Sequence, residues 1–376
     1  MLLKKGLEIE QYTGYKDGRV IPLSALISGN LTDFTVEPDQ RNVEFITPPT
    51  EDYDELMSFA IQKRWQLRDF LKSHNPNWTV VPGSSLALPF EQNFIFSKPE
   101  DPYHQHICKT HGLSIITTSV HYNLGIPDSE ELIRLVNLMR IEAPLILALS
   151  ACSPFYDGKV TGDQSYRWRS FPKVPTKIPF FRSHGHYIDW MNQQVNSGEM
   201  FNYRHLWGAV RPNGTDKPKL VDRLEVRIGD LSTSWELTIA LMAWIETRSQ
   251  YFLRNPDLIV PSNDDNLILL SDSNEISASV QGLTSQFSDW IEEEETQMYD
   301  AILKRLEQTK QLAEEIGTAK YLQPLYKVLS EGNEATQKLE KYHDGYTIAE
   351  IMEEWVSESE EEDKKIASLR GMSRSI

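Results

Sequence analysis

The chain has 376 residues, of which 40% are hydrophobic and 25% charged, with 55 Asp and Glu against 38 Lys and Arg and a formal charge of −17. The acidic surplus argues against a dedicated nucleic-acid binder, and the apolar fraction argues against wholesale disorder. No apolar run reaches the ~18 to 20 residues that span a bilayer, and the two cysteines, Cys108 and Cys152, lack the spacing of a disulfide framework or a cysteine-rich zinc module. A soluble cytoplasmic protein without nucleic-acid or membrane partners is expected.

Taken in chain order, period-2 alternation predicts strands over Gly6–Tyr12, Asn42–Thr47, Ser114–Gly125 and Asp222–Asp230. Between them helices are predicted over Asp52–Ser73 and Asp128–Ser150, the second with Asp128 and Ser129 as caps and Pro144 as a break or kink. From there the pattern is almost entirely helical: Ser232–Arg254, Asn266–Leu283, Asp289–Glu315, Ala319–Leu329, Glu334–Tyr342 and Thr347–Ser357. Long connections between strands favour an α+β fold, with helices on one face of a mostly antiparallel sheet. The expected organisation is a catalytic sheet-plus-helices domain over 1–260 and a helical C-terminal region over 261–376 packed on it, with a fraying or disordered tail over 358–376. Charge follows this division. Asp289–Ile376 holds 21 acidic and 11 basic residues, whereas Lys159–Arg211 holds 8 basic and 3 acidic, an island suited to an anionic substrate.

The four strands carry the chemistry. In Gly6-Leu-Glu-Ile-Glu-Gln, Leu7 and Ile9 face one way and Glu8 and Glu10 the other. Two carboxylates roughly 7 Å apart repel by about 2 kcal/mol at an effective dielectric of ~20, so an enclosed pair needs a cation or a proton. Glu44 stands opposite Val43 and Phe45. His121 and Asn123 alternate with Val120, Tyr122 and Leu124, and Arg223, Glu225 and Arg227 alternate with Leu224, Val226 and Ile228. If the strands share one sheet, Glu8, Glu10, Glu44, His121, Glu225 and Arg227 converge on its polar face. That set suits Mg²⁺ or Mn²⁺, with Arg227 placed to stabilise phosphoryl charge. Removing Glu8 or Glu225 is then expected to abolish turnover and spare the fold, as solvent-side charges add little to a core. Ordinary alternation with a solvated polar face is the competing reading for each strand alone.

The loop Ser150–Arg169 reads as a substrate loop: Arg167 and Arg169 offer planar forks for a carboxylate, and Arg211 further on is a third candidate, for a carboxylate or a phosphate. Arg167 beside Trp168 fits simple stacking equally well. His104-x-His106 and His184-x-His186 have a spacing that binds metal on a strand but lack a third partner. The Glu292–Glu295 run reads as a solvated helix face, and the aromatics of Phe180–Trp207 as core. No Walker or GxGxxG motif is present, so a nucleotide needs another device.

Together, Gly6-Leu-Glu-Ile-Glu, Val43-Glu-Phe-Ile-Thr-Pro-Pro, His121-Tyr-Asn-Leu-Gly-Ile-Pro-Asp, Leu149-Ser-Ala-Cys-Ser-Pro-Phe-Tyr-Asp-Gly-Lys, Ser165-Tyr-Arg and Leu224-Glu-Val-Arg-Ile-Gly-Asp resemble the glutamate-cysteine ligase type 2 family, its cyanobacterial members most. The resemblance implies a glutamine-synthetase-like curved sheet, a catalytic funnel with helices on its outer face. It implies ATP-dependent phosphorylation of the L-glutamate γ-carboxylate, then attack by the L-cysteine amine to give γ-glutamylcysteine, the first step of glutathione biosynthesis. It also implies that Glu8, Glu10, Glu44, His121 and Glu225 are metal ligands. By the same resemblance Arg227 lies beside the phosphoryl group, Arg167 on the glutamate carboxylate, and Arg211 near substrate. Another amine acceptor, a metal-dependent hydrolase and a nucleotide-binding regulatory protein stay open as alternatives, and so does a homodimer.

Overall fold

The computed structural model describes residues 2–262 and 264–369. In its first half, strands β1 (Lys5–Tyr15), β2 (Phe34–Val36), β3 (Asn42–Ile46), β4 (Trp78–Val81) and β5 (Val120–Gly125) are interleaved with helices α1 (Ser24–Ser28), α2 (Tyr53–His74), α3 (Pro102–His111) and α4 (Ser129–Ser150). There follow a small hairpin of β6 (Phe155–Tyr156) and β7 (Lys159–Val160), helices α5 (Tyr166–Ser170) and α6 (His184–Ser197), strands β8 (Val210–Asn213) and β9 (Arg223–Val226), and helix α7 (Trp235–Arg254). The C-terminal part holds α8 (Asp265–Gln281), a hairpin of β10 (Gln286–Asp289) and β11 (Glu294–Gln297), then α9 (Met298–Gln308), α10 (Lys310–Ile316), α11 (Gln323–Glu331), α12 (Glu334–His343) and α13 (Ile348–Leu369).

Seven strands form one antiparallel sheet in the order β2-β3-β1-β5-β9-β8, which does not close, and the far half of β1 pairs with β4. The pleat does what the alternation requires. Leu7, Ile9, Val43, Phe45, Val120, Tyr122, Leu124, Leu224 and Val226 are all buried in one core, each burial worth about 1.5–3 kcal/mol. Against this face pack α2 and α4, and α7 packs on those two helices in turn. Helices α2, α4 and α7 start where the sequence places polar caps: Asp52, Asp128 and Ser234 each accept backbone N–H groups of the first turn. No helix among the described residues is long and apolar enough to cross a membrane.

Several expectations need correction. Pro144 neither breaks nor ends α4; it frees the carbonyl of Arg140 four residues back, and that carbonyl accepts a hydrogen bond from Ser271 of α8 instead. The strand expected over 114–125 begins only at Val120, after a 3₁₀ turn at Gly112–Ile115. Of the helix expected over 289–315, residues 289–297 instead belong to the β10–β11 hairpin, so the Glu292–Glu295 run lies on its turn and second strand, not on a helix face. The tail expected to fray is helical as far as Leu369, because Asp363 is buried and accepts from Arg64 and Arg68 of α2 and from the Trp235 indole. Residues 370–376 lie outside the described residues.

Candidate metal and anion site

On the face of the sheet opposite the core, register decides which side chains meet. Glu8 stands across from His121, Glu10 from Glu44, and Glu225 from both Asn123 and Arg211. His121 is the buried centre. Its Nδ1 lies 3.2 Å from Glu8 Oε2 and 3.7 Å from Glu225 Oε1, and its Nε2 lies 3.7 Å from Glu10 Oε1. Ser119 donates to Glu10 at 2.7 Å and Asn123 to Glu8 at 3.1 Å. Burial and the Glu225 charge push the Glu8 carboxyl up, but the hydrogen bond and charge of His121, with Arg227, outweigh them and hold it below its ordinary value.

Glu225 is a hub rather than a solvent-side charge. It is fully buried, and burial would raise its carboxyl, yet Arg211 and Arg227 hold it well below the carboxylate range. Oε2 accepts from Arg211 Nε and Asn213 Nδ2, both at 2.7 Å; Oε1 accepts from Arg211 Nη2 at 3.1 Å and Arg227 Nη1 at 2.5 Å. A carboxylate has about four lone-pair directions, so all of them are taken. Arg211 is fixed further by the carbonyls of Arg204 and Leu206.

Glu37, in the loop after β2, was not singled out by the sequence reading because it belongs to no alternating segment. It hydrogen-bonds Glu44, and burial first, then the Glu37, Glu8 and Glu10 charges, raise the Glu44 carboxyl well above its usual value; burial also raises Glu37. A carboxyl–carboxyl contact of this kind needs a proton or a cation. The ligand atoms of Glu8, His121 and Glu225 lie within 4.8 Å of one another. This separation and the oxygen-rich donor set fit a hard divalent ion, provided that one donor leaves Glu225 Oε1.

The two arginines expected at the substrate are both largely engaged by the protein. Arg167, on α5, is buried and donates to the carbonyls of Arg227 and Ile228, leaving its Nε without a partner. It buttresses the chain just after β9. Behind it Asp230 accepts from Ser153, Ser165 and the Cys152 amide. The histidine pairs His104/His106 and His184/His186 sit on helices α3 and α6, where residues two apart point to different sides, so neither pair chelates. A cavity of about 330 Å³ lies over the carboxylate face, lined by Glu8, Glu10, Glu37, Glu44, His121, Arg227 and residues of α3 and the β8–β9 connection. A larger groove of about 1290 Å³ beside α7, α11 and α13 contains none of these residues.

An open antiparallel sheet backed by helices thus carries carboxylates, one imidazole and paired arginines on its free face, groups suited to a divalent ion and an anion. The sequence profile of glutamate-cysteine ligase family 2 matches residues 5–362, and the chain belongs to that family. A Sorangium cellulosum protein named "Putative glutamate--cysteine ligase 2" is 30% identical over 244 residues, 64% of this chain and 63% of the relative. A Chloroflexus aurantiacus protein of the same name is 24% identical over 329 residues, 86% of this chain and 82% of the relative. The chain thus matches a little under two thirds of the Sorangium protein's length. Among solved structures, a glutamate--cysteine ligase of Francisella tularensis in complex with AMP superposes with a TM-score of 0.74 at 13% identity, covering 100% of this chain and 95% of that one. A bifunctional glutathione synthetase from Pasteurella multocida gives 0.73 at 16%, covering 97% and 53%. Both likenesses establish the fold.

Proposed function

We propose that the protein ligates the γ-carboxylate of L-glutamate to the amine of L-cysteine at the expense of ATP. A γ-carboxylate oxygen attacks the terminal phosphorus and ADP leaves; the amine then attacks the acyl carbon, phosphate leaves, and the amine proton is lost. The observation that carries this reading is the Glu8–His121–Glu225 cluster with Arg227 on Glu225 Oε1. Such a reaction asks for charge neutralisation and alignment, not for a protein nucleophile, and Cys152, buried behind the sheet, supplies none.

Glu8, Glu10, Glu44, His121 and Glu225 would hold Mg²⁺ or Mn²⁺, which neutralises phosphate oxygens when bound. The engaged lone pairs of Glu225 support a definite task for Arg227. As a phosphoryl group enters, Arg227 exchanges Glu225 Oε1 for a phosphate oxygen, so that one lone pair of Oε1 is released, Arg211 Nη2 keeping the other, as the arginine begins to stabilise the transferring charge. Arg211 stays, since its other donors are tied to backbone carbonyls, and keeps Glu225 oriented. Arg167 holds the Arg227 backbone still during the exchange.

The test is mass spectrometry of product and ADP with ATP, Mg²⁺, L-glutamate and a panel of amines. Cysteine should accelerate ADP release and appear in the product. Acceleration by another amine alone would replace the cysteine assignment, and turnover without ATP would remove the ligase reading.

A further inference from the structure

The cavity over the carboxylate face is lined by six cationic side chains, Arg167, Arg204, Arg211, Lys217, Arg223 and Arg227. Four are engaged within the protein. Arg211 and Arg227 hold Glu225, Arg167 holds two backbone carbonyls, and Arg223 donates to Asp222 at 3.0 Å and to Asn123 at 3.3 Å. Arg204 is exposed, with its guanidinium 5.7 Å from the centre of the Tyr103 ring. Lys217, in the β8–β9 connection, is different: it is half-buried, it lines the cavity, and its ammonium has no hydrogen-bond or ion-pair partner among the described residues.

A lysine stem long enough to reach solvent normally carries its charge outward, and a half-buried ammonium without a counter-ion is unfavourable. Burial, with the charges of Arg211 and Arg227, pulls the Lys217 ammonium down to about 8 against the opposing pull of Glu225 and Glu8. Glu8 and Glu225 thus lie within electrostatic reach but are already engaged by His121 and by the two arginines. The missing partner is therefore an anion that comes from outside.

We propose that Lys217 is a substrate-binding residue, receiving a carboxylate or phosphate oxygen of a substrate held over the Glu8–His121–Glu225 face. This rests on the ligase reading for the identity of the substrates, but not for the anion contact itself. It also reassigns the part of the anion clamp that Arg167 and Arg211, largely occupied by the protein, leave vacant.

The experiment measures binding of L-glutamate and of MgADP by calorimetry, and melting temperature, in the full-length wild type, Lys217→Met, Lys217→Arg and the neighbouring exposed Lys219→Met. Lys217→Met should melt with the wild type and bind one of the two probes at least tenfold more weakly. Lys217→Arg should recover much of the loss, and Lys219→Met should match the wild type. Loss confined to L-glutamate identifies a carboxylate; loss confined to MgADP identifies a phosphate. Both affinities within twofold of wild type would overturn the proposal, and so would a Lys217→Met protein that fails to fold, since that would make the lysine structural. Failure of the ligase reading shows separately, as a wild type that binds but releases no ADP. If the wild type binds neither probe, inorganic phosphate is used with the same tenfold criterion, and no binding there overturns the proposal.

Discussion

Alternation alone treats Glu8 and Glu225 as equivalent polar-face carboxylates, and the structure separates them sharply. In Glu225→Ala, Arg211 and Arg227 lose their shared carboxylate in a site where Glu225 is fully buried. Breaking a buried ion pair from one side costs about 3–5 kcal/mol. With an unfolding entropy of about 2.1 cal/mol/K per residue over 376 residues, that lowers the melting temperature by about 4 to 6 °C. Glu8→Ala loses the hydrogen bonds from Asn123 and His121, about 1.5–3 kcal/mol each when charge-assisted. It also relieves repulsion from Glu225, whose ligand oxygen lies within 4.8 Å, about 3.5 kcal/mol at an effective dielectric of ~20. The loss exceeds the relief by at most about 2.5 kcal/mol, so Glu8→Ala should melt within about 3 °C of wild type. Both variants should lose ATP-dependent product. Differential scanning fluorimetry beside an ADP-release assay reads both effects. Equal melting shifts in the two variants, or an unshifted Glu225→Ala, would refute the hub assignment, and retained turnover in both would refute the metal face.

Three further outcomes are expected. Asp363→Ala strands Arg64 over the Trp235 ring and removes one partner of Arg68, and should cost about 3–5 kcal/mol in urea unfolding. Burial raises the Asp363 carboxyl, but Arg64 and Arg68 hold it below its ordinary 3.8. Its stabilisation is therefore complete above that value and lost as pH falls below it, and the variant should lack this part of the acid transition. Glu44, held protonated above its usual range by burial and by Glu37, should release a proton when Mg²⁺ or Mn²⁺ is added to weakly buffered protein at mildly acidic pH. The release should shrink as pH rises and vanish in Glu44→Gln; a wild type that releases none would remove the shared-proton picture. Iodoacetamide near neutral pH should spare Cys152, whose thiol is fully buried, pushed up by burial and bonded to the Leu231 carbonyl. Intact mass should show at most Cys108 labelled, with activity unchanged.

How much of this was legible in the sequence depends on whether a residue's role is set by local periodicity or by what the chain brings in from elsewhere. Leu7 and Ile9 against Glu8 and Glu10, or Leu224 and Val226 against Glu225, follow from the two-residue pleat alone, and the sheet face was readable for that reason. The helices of the C-terminal third were readable where caps and apolar spacing agreed. They were misread at 289–297, where a hairpin takes up an acidic run that looks like the start of a helix. Glu37 was invisible because a single residue after a three-residue edge strand has no periodicity to expose it.

The energetic state of each site residue was a different kind of information. That Glu225 accepts from three side chains depends on Arg211 and Asn213, on the neighbouring strand β8, which alternation in Asp222–Asp230 does not mention. The same long-range pairing occupies Arg211 and, through the carbonyls after β9, Arg167, the two residues that a resemblance read along the chain assigns to substrate. Occupancy rather than identity then decides function: a guanidinium whose donors are spent on the protein can orient a ligand, but it receives a new anion only by giving up an old partner. On the proposed reading Arg227 makes that exchange at Glu225 Oε1, and Lys217 has no partner among the described residues to give up. The proposed roles thus give one cation that moves and one that waits, and substitutions at the two should separate in rate and in binding.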